Sequence, residues 1–190
     1  MTTVFLVSDT HFGHAGVCKF LRDDGTKLRP WDSPEEMDEA MVEAWNKTVR
    51  PKDKVYHLGD VVINRKALSI MQRLNGDKVL IRGNHDIFSD DEYRKYFRSI
   101  RAYHVLNGMI MSHIPIHSDS IGRFGVNIHG HTHSNRVMTE MWGDHVIDPR
   151  YHCVCVEQTD FRPISLEEVS ARIVKEGGTI GFKNGNGPTM

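Results

Sequence analysis

Lys78-Val-Leu-Ile-Arg-Gly-Asn-His-Asp86 begins as a short apolar strand, Val79-Leu-Ile81, and breaks at Gly83 into three side chains able to bind a metal or move a proton. Open α/β sheets build ligand sites this way, by delivering polar groups at the carboxyl ends of their strands. The same arrangement recurs along the chain. Val4-Phe-Leu-Val7 runs into Ser8-Asp9-Thr10-His11, and Val55-Tyr-His-Leu58 into Gly59-Asp60. Met109-Ile-Met111 leads to Ser112-His113, and Val126-Asn-Ile128 to His129-Gly-His131-Thr-His133. Potential ligands therefore follow five strand-like runs at once, which predicts an α/β fold whose strand ends converge on one sheet edge.

Between these runs the helical signals are local. Ser33 can cap a helix with Pro34 at its first position and Glu36 closing a capping box. Met37, Ala40, Met41, Ala44, Trp45 and Thr48 then recur on one face, so Trp45 reads as core packing. Residues 66–74 and 90–97 read as short helices, the second with Arg94, Lys95, Arg98 and Arg101 on its wet side. Asn107-Gly108 between two apolar runs marks a two-residue hairpin. Val146-Ile147 and Val154-Cys-Val156 are strand candidates, with Cys153 and Cys155 on one face of a buried strand. Ser165 and Glu168 box a last helix running to about Glu176, where Gly177-Gly178 ends it.

The chain has 190 residues, 39% of them hydrophobic, enough for a single domain over 1–182 with a loose tail over 183–190. A formal net charge of −1 gives no broad positive field, which argues against long nucleic acids and membrane surfaces as partners. No apolar run reaches the length of a membrane span, and the N-terminus shows no leader, so a cytoplasmic location is expected. The three cysteines have no thiolate-zinc spacing, whereas the 12 histidines are abundant and grouped at strand ends.

Asp9, His11, Asp60, Asn84, His113, His131 and His133 are carboxylates, imidazoles and one amide. This mixture suits Mn, Fe, Zn, Co or Ni rather than a calcium or magnesium cage. Seven groups exceed what one tetrahedral ion takes, and suit two ions if Asp60 or Asp9 bridges them. Ions about 3.5–4 Å apart can clamp the attacking and leaving oxygens of a displacement at phosphorus.

The ordered set Asp9-x-His11, Gly59-Asp60, Gly83-Asn-His-Asp86, His113 and Gly130-His-x-His133 resembles the calcineurin-like metallophosphoesterase family. The resemblance spans residues 4–133. It implies a four-layer sandwich of two mixed β-sheets flanked by helices, with a dinuclear site at the strand ends. By that likeness Asp9, His11 and His133 would hold one ion, Asn84, His113 and His131 the other, and Asp60 would bridge. His85 would steady the transition state or protonate the leaving oxygen, with Asp86 orienting it. The chain lacks the Gly-Asp-x-Val-Asp-Arg-Gly and Gly-Asn-His-Glu of protein phosphatases. Its His11-Phe-Gly-His14 and Arg29-Pro-Trp31 look more like a small bacterial and phage group.

The expected activity is hydrolysis of a nucleotide-like or other small phosphodiester by a metal-bound hydroxide, with Mn as the foremost metal. A phosphomonoesterase, a nuclease for short oligonucleotides, and a non-catalytic scaffold of the same fold are the rival readings. Substrate contacts are expected from Asn84, His14, His117 and Arg29, with residues 15–33 as a partial lid from which Arg22 or Arg29 reaches a phosphate.

Overall fold

A computed structural model describes residues 1–181. The expected tail, 183–190, and the expected domain end at residue 182 lie outside them. In chain order the strands are β1 (Val4–Val7), β2 (Lys54–His57), β3 (Asp77–Ile81), β4 (Ser99–Arg101), β5 (Tyr103–Leu106), β6 (Met109–Ser112), β7 (Val126–His129), β8 (Met138–Met141), β9 (Asp144–Ile147), β10 (Tyr151–Cys153) and β11 (Ile164–Ser165). The helices are α1 (Pro34–Thr48), α2 (Asp90–Tyr93), α3 (Ser118–Ile121) and α4 (Leu166–Lys175).

Two mixed sheets face each other. One has the order β11-β1-β2-β3-β4, parallel except for β11, and the other β10-β7-β6-β5, parallel except for β5. Alternation along the strands divides the interior. Phe5, Val7, Val55 and Leu80 point to α1, while Leu6, Tyr56, Val79 and Ile81 point to Met109, Met111, Val126 and Ile128 of the second sheet. α4 adds Val169 and Ile173 to that intersheet core. A third pair, β8-β9, stands apart as a hairpin.

The helix ends follow the local chemistry. Ser33 Oγ accepts from Glu36 N at 3.2 Å, but Glu36 reaches back to Asp32 N rather than closing the expected box. α4 closes its box in full through Ser165 and Glu168. Trp45 is buried and its indole N–H donates to Asn75 O at 2.9 Å, so it is core with its polar atom satisfied.

Some expectations shift. Residues 65–73 form a 3-10 helix that still buries Leu68 and Met71. The helix expected over 90–97 stops at Tyr93. The strand expected over 154–156 lies earlier, at β10, and Val156–Gln158 turns into a 3-10 helix. Cys155 makes only a single parallel bridge, to Ser8, but that bridge joins the two sheets at their carboxyl ends.

His57 is fully buried. Gly59 N donates to its Nδ1 at 3.2 Å, so the ring proton sits on Nε2 and faces Thr10 Oγ1 at 3.0 Å. The Thr10 hydroxyl passes its own proton to Val61 O at 2.9 Å. Burial holds the His57 pKa down to about 3, so a neutral ring ties the β1 loop to the β2 loop.

Candidate metal centre

Loops leaving the parallel strands stay hydrogen-bonded to one another, which keeps their side chains in register. Asp9 N donates to Gly59 O at 3.0 Å, His11 N to Asp60 O at 3.1 Å, and Gly130 N to His113 O at 2.8 Å. Asp9, His11, Asp60, His131 and His133 all hold positive φ, at 58°, 48°, 56°, 69° and 51°. Such backbone costs energy in a non-glycine residue, and here it gathers on the candidate ligands. Close approach also demands glycine. A Cβ on Gly83 would lie 2.3 Å from Asp60 Oδ1, and one on Gly130 would lie 2.5 Å from Asp9 Oδ2.

The structure brings all seven expected ligands together. One atom each from Asp9, His11 and His133 lies within 4.8 Å of the others, and so does one each from Asp60, His113 and His131. Asn84 Oδ1 joins the second group, 2.9 Å from His113 Nε2. Asp60 faces both groups, with Oδ2 3.7 Å from His11 Nε2 and Oδ1 3.4 Å from His113 Nε2. Asp9 Oδ2 instead accepts from His131 N at 2.8 Å and from the Cys155 thiol at 3.0 Å. Between the two bridging candidates the geometry therefore favours Asp60.

The donor set fits cations on its own chemistry. His113 Nδ1 sits 2.8 Å from Leu58 O, an acceptor only, so Nδ1 carries the proton. Its Nε2 lone pair then faces two oxygens, Asn84 Oδ1 and Asp60 Oδ1, an arrangement that calls for positive charge between them. Asp9 Oδ1 is buried with no hydrogen-bond partner, and His11 Nε2 faces it from 3.8 Å. Burial first, then the Arg29 charge, keeps the His11 ring well below the usual imidazole range and hence neutral. Burial, with the nearby Asp9 and Asp86 carboxylates adding, raises the Asp60 pKa despite His113 and the His85 N–H. Clustered carboxylates and neutral imidazoles are what borderline divalent ions bind.

Three expected roles change. Arg29 is fully buried and does not reach out to a phosphate. Its guanidinium donates to Asp9 O at 2.6 Å, Thr10 O at 2.7 Å and Glu157 Oε1 at 2.8 Å, so it fastens the β1 loop from beneath. Asp86 does not orient the His85 ring. Its carboxylate accepts from Asp60 N at 2.9 Å, Val61 N at 3.0 Å, Gly83 N at 2.8 Å and the Tyr93 hydroxyl at 3.3 Å, which locks the β2 and β3 loops together. His117 is exposed and caps α3 through Asp119 N at 3.3 Å, making no contact with the cluster. By contrast His85 and His14 border it, each with its ring 5.7 Å from that of His11. Of the two lid arginines, exposed Arg22 lines a groove beside His131 and His133.

Glu157 was absent from the expected site. It follows β10 as Asp9 follows β1, and its Oε1 takes His133 Nδ1 at 3.0 Å while pairing with Arg29. Burial pushes its carboxyl up, but Arg29 and then His133 outweigh that and lower it. This pairing puts the His133 proton on Nδ1 and leaves Nε2 free to bind a cation. Glu157→Gln strands the buried Arg29 charge and should cost about 3–5 kcal/mol of stability. It should also weaken metal binding about 10–100-fold, readable by calorimetric titration. Parental stability in this variant would remove Glu157 from the support of the site.

No helix of the described residues is long and apolar enough to cross a membrane. A protein-family model described as calcineurin-like phosphoesterase matches residues 2–174. The chain is 34% identical over 186 residues to an uncharacterized protein of Methanocaldococcus jannaschii, covering 95% of this chain and 96% of that one. It is 30% identical over 159 residues to the gene 66 protein of a Mycobacterium phage, covering 80% and 70%. Among solved structures, a protein of unknown function from Aquifex aeolicus superposes with a TM-score of 0.64 at 25% identity, covering 90% of this chain and 100% of that one. With the family model spanning nearly the whole sequence and both ligand groups assembled at the strand ends, the chain belongs to the calcineurin-like phosphoesterase family.

Proposed function

We propose that the protein is a dinuclear phosphodiesterase acting on a small ester. The observation that carries this reading is the pair of grooves meeting at the ligand cluster. One is lined by Asn84 and His113, and the other by His131 and His133. A phosphorus atom between the two ligand groups would have room for an organic substituent on each side, which a monoester would leave half unused.

Bound here, two divalent cations, Mn in this reading, would supply charge for the phosphoryl oxygens and acidify a water. The chain's own residues do the rest. Asp60 spaces the two ligand groups, Arg29 and Asp86 fix their loops, and Asn84 lies where it can touch both a cation and the ester. His85 stands exposed at the open side of the cluster with its backbone N–H held by Asp60 Oδ1 at 2.9 Å. From there its ring can protonate the leaving oxygen.

Mn-loaded protein assayed on bis(4-nitrophenyl) phosphate and 4-nitrophenyl phosphate tests the assignment. We expect kcat/KM to favour the diester by about tenfold or more. A reversed ratio would make the protein a monoesterase, and metal binding without turnover of either would make it a scaffold.

A further inference from the structure

The groove beside Asn84 and His113 has a chemistry of its own. It encloses about 650 Å³ and is walled by Tyr103, Ile110, Ile114 and Ile116. Two of its polar side chains, Ser112 and Arg82, are already engaged. Ser112 Oγ donates to Ile114 O at 2.7 Å, and Arg82 donates to Asp86 O at 2.7 Å, to Asp90 Oδ1 at 2.6 Å and to Phe88 O. Among the described residues that line the groove, Arg82 is thus paired and offers no free charge to a second phosphate or a carboxylate. Tyr103 and Ile114 nevertheless stay 61% and 53% exposed at its mouth, and covering such surface is favourable. The groove beside His131 and His133 is different. It encloses about 380 Å³ and sets Leu21 and Leu28 beside Arg22, Asp23, Thr132, Ser134 and Asn135, so a charged side chain stands free at its wall.

We infer that the groove walled by Tyr103 and Ile114 binds a flat aromatic ring carried on one ester oxygen of the substrate, while the polar part of the ester lies toward Arg22. The assignment rests on reading the metal centre as a phosphoester site. Because Asn84 and His113 belong to both the ligand cluster and the groove, an ester held at the cluster sends one substituent directly along this wall. A flat ring suits the site because it can stack on the exposed Tyr103 ring and lie against branched aliphatic side chains without needing hydrogen bonds. A nucleobase and a simple aryl group share that chemistry.

The test is binding rather than turnover. Zn-loaded full-length protein is titrated by calorimetry with methylphosphonate, phenylphosphonate and an adenosine 5′-phosphonate. We expect at least one ring-bearing phosphonate to bind about tenfold more tightly than methylphosphonate. Tyr103→Ala should reduce that ratio to below about threefold and Tyr103→Phe should keep it. Methyl resonances of Ile114 and Ile116 should shift with the ring-bearing ligand and not with methylphosphonate. Preference for the adenosine compound assigns the ring to a nucleobase, and preference for the phenyl compound assigns it to an aryl alcohol. Equal affinities, no binding of either ring compound, or shifts confined to other residues overturn the groove assignment. A protein that shows the ring preference without hydrolysing any ester keeps the groove and loses the esterase. One that hydrolyses esters without the preference does the reverse.

Discussion

The His85→Ala variant should retain its metal and turn over about 10²–10⁴-fold more slowly than the parent. Its ring belongs to neither ligand group. Its one tie to Asp60 runs through the backbone N–H, which alanine keeps. The ring is exposed, so its removal opens no cavity in the core. What the variant loses is a proton donor beside the cluster, 5.7 Å ring to ring from His11. A general acid matters most when the leaving group is a poor one. The loss should therefore be larger for an alkyl ester than for a nitrophenyl ester. An equal loss on both would assign His85 to charge stabilisation instead, and parental rates on both would remove it from the mechanism.

Asp60→Asn should separate the two ligand groups energetically while preserving their shape. The amide oxygen can still accept the His85 N–H, yet the charge shared between His11 and His113 is gone. We expect the second ion to bind at least about 100-fold more weakly and turnover to fall at least as far. Metal-free protein should respond the other way. Burial and the neighbouring carboxylates raise the Asp60 pKa above its unfolded value. Its ionisation therefore costs stability as pH rises past the normal carboxylate range, near 4. In chelator at pH 8, Asp60→Asn should be more stable than the parent, and with metal it should be less stable. Urea midpoints measured in both conditions check the crossing. The same order in both would mean that Asp60 carries no special charge burden.

The convergence of the candidate ligands was legible in the sequence because parallel strands make position predictable. Each apolar run ends where its sheet ends, so Asp9, Asp60, Asn84, His113 and His131 fall on one edge once the register is set. The supporting layer was not legible, because it depends on contacts between residues far apart in the chain. Glu157 follows a strand as the other site residues do, but its pairing with Arg29 spans 128 positions and leaves no local trace. A buried arginine in a charged loop reads from sequence as a solvated one, which is how Arg29 came to be expected at the substrate. Asp86 misleads for a similar reason. Its adjacency to His85 suggests a pair, yet its four acceptor contacts go to backbone amides and to Tyr93.

Short elements also escaped. β4 offers only Ser-Ile-Arg. Of the β8-β9 hairpin only the Val146-Ile147 end of β9 was expected, and the hairpin turns through Trp142 and Gly143 at φ 59° and 88°. Glycine is at home there, but tryptophan carries no turn signal, unlike the Asn107 of the β5-β6 turn.

The most direct measurement is anomalous diffraction from Mn-loaded crystals, with elemental analysis of the same material. We expect two ions per chain about 3.5–4 Å apart, with one Asp60 carboxylate oxygen on each. A single ion, or none, with His113 still turned to Asn84 and His11 still unligated, would contradict it.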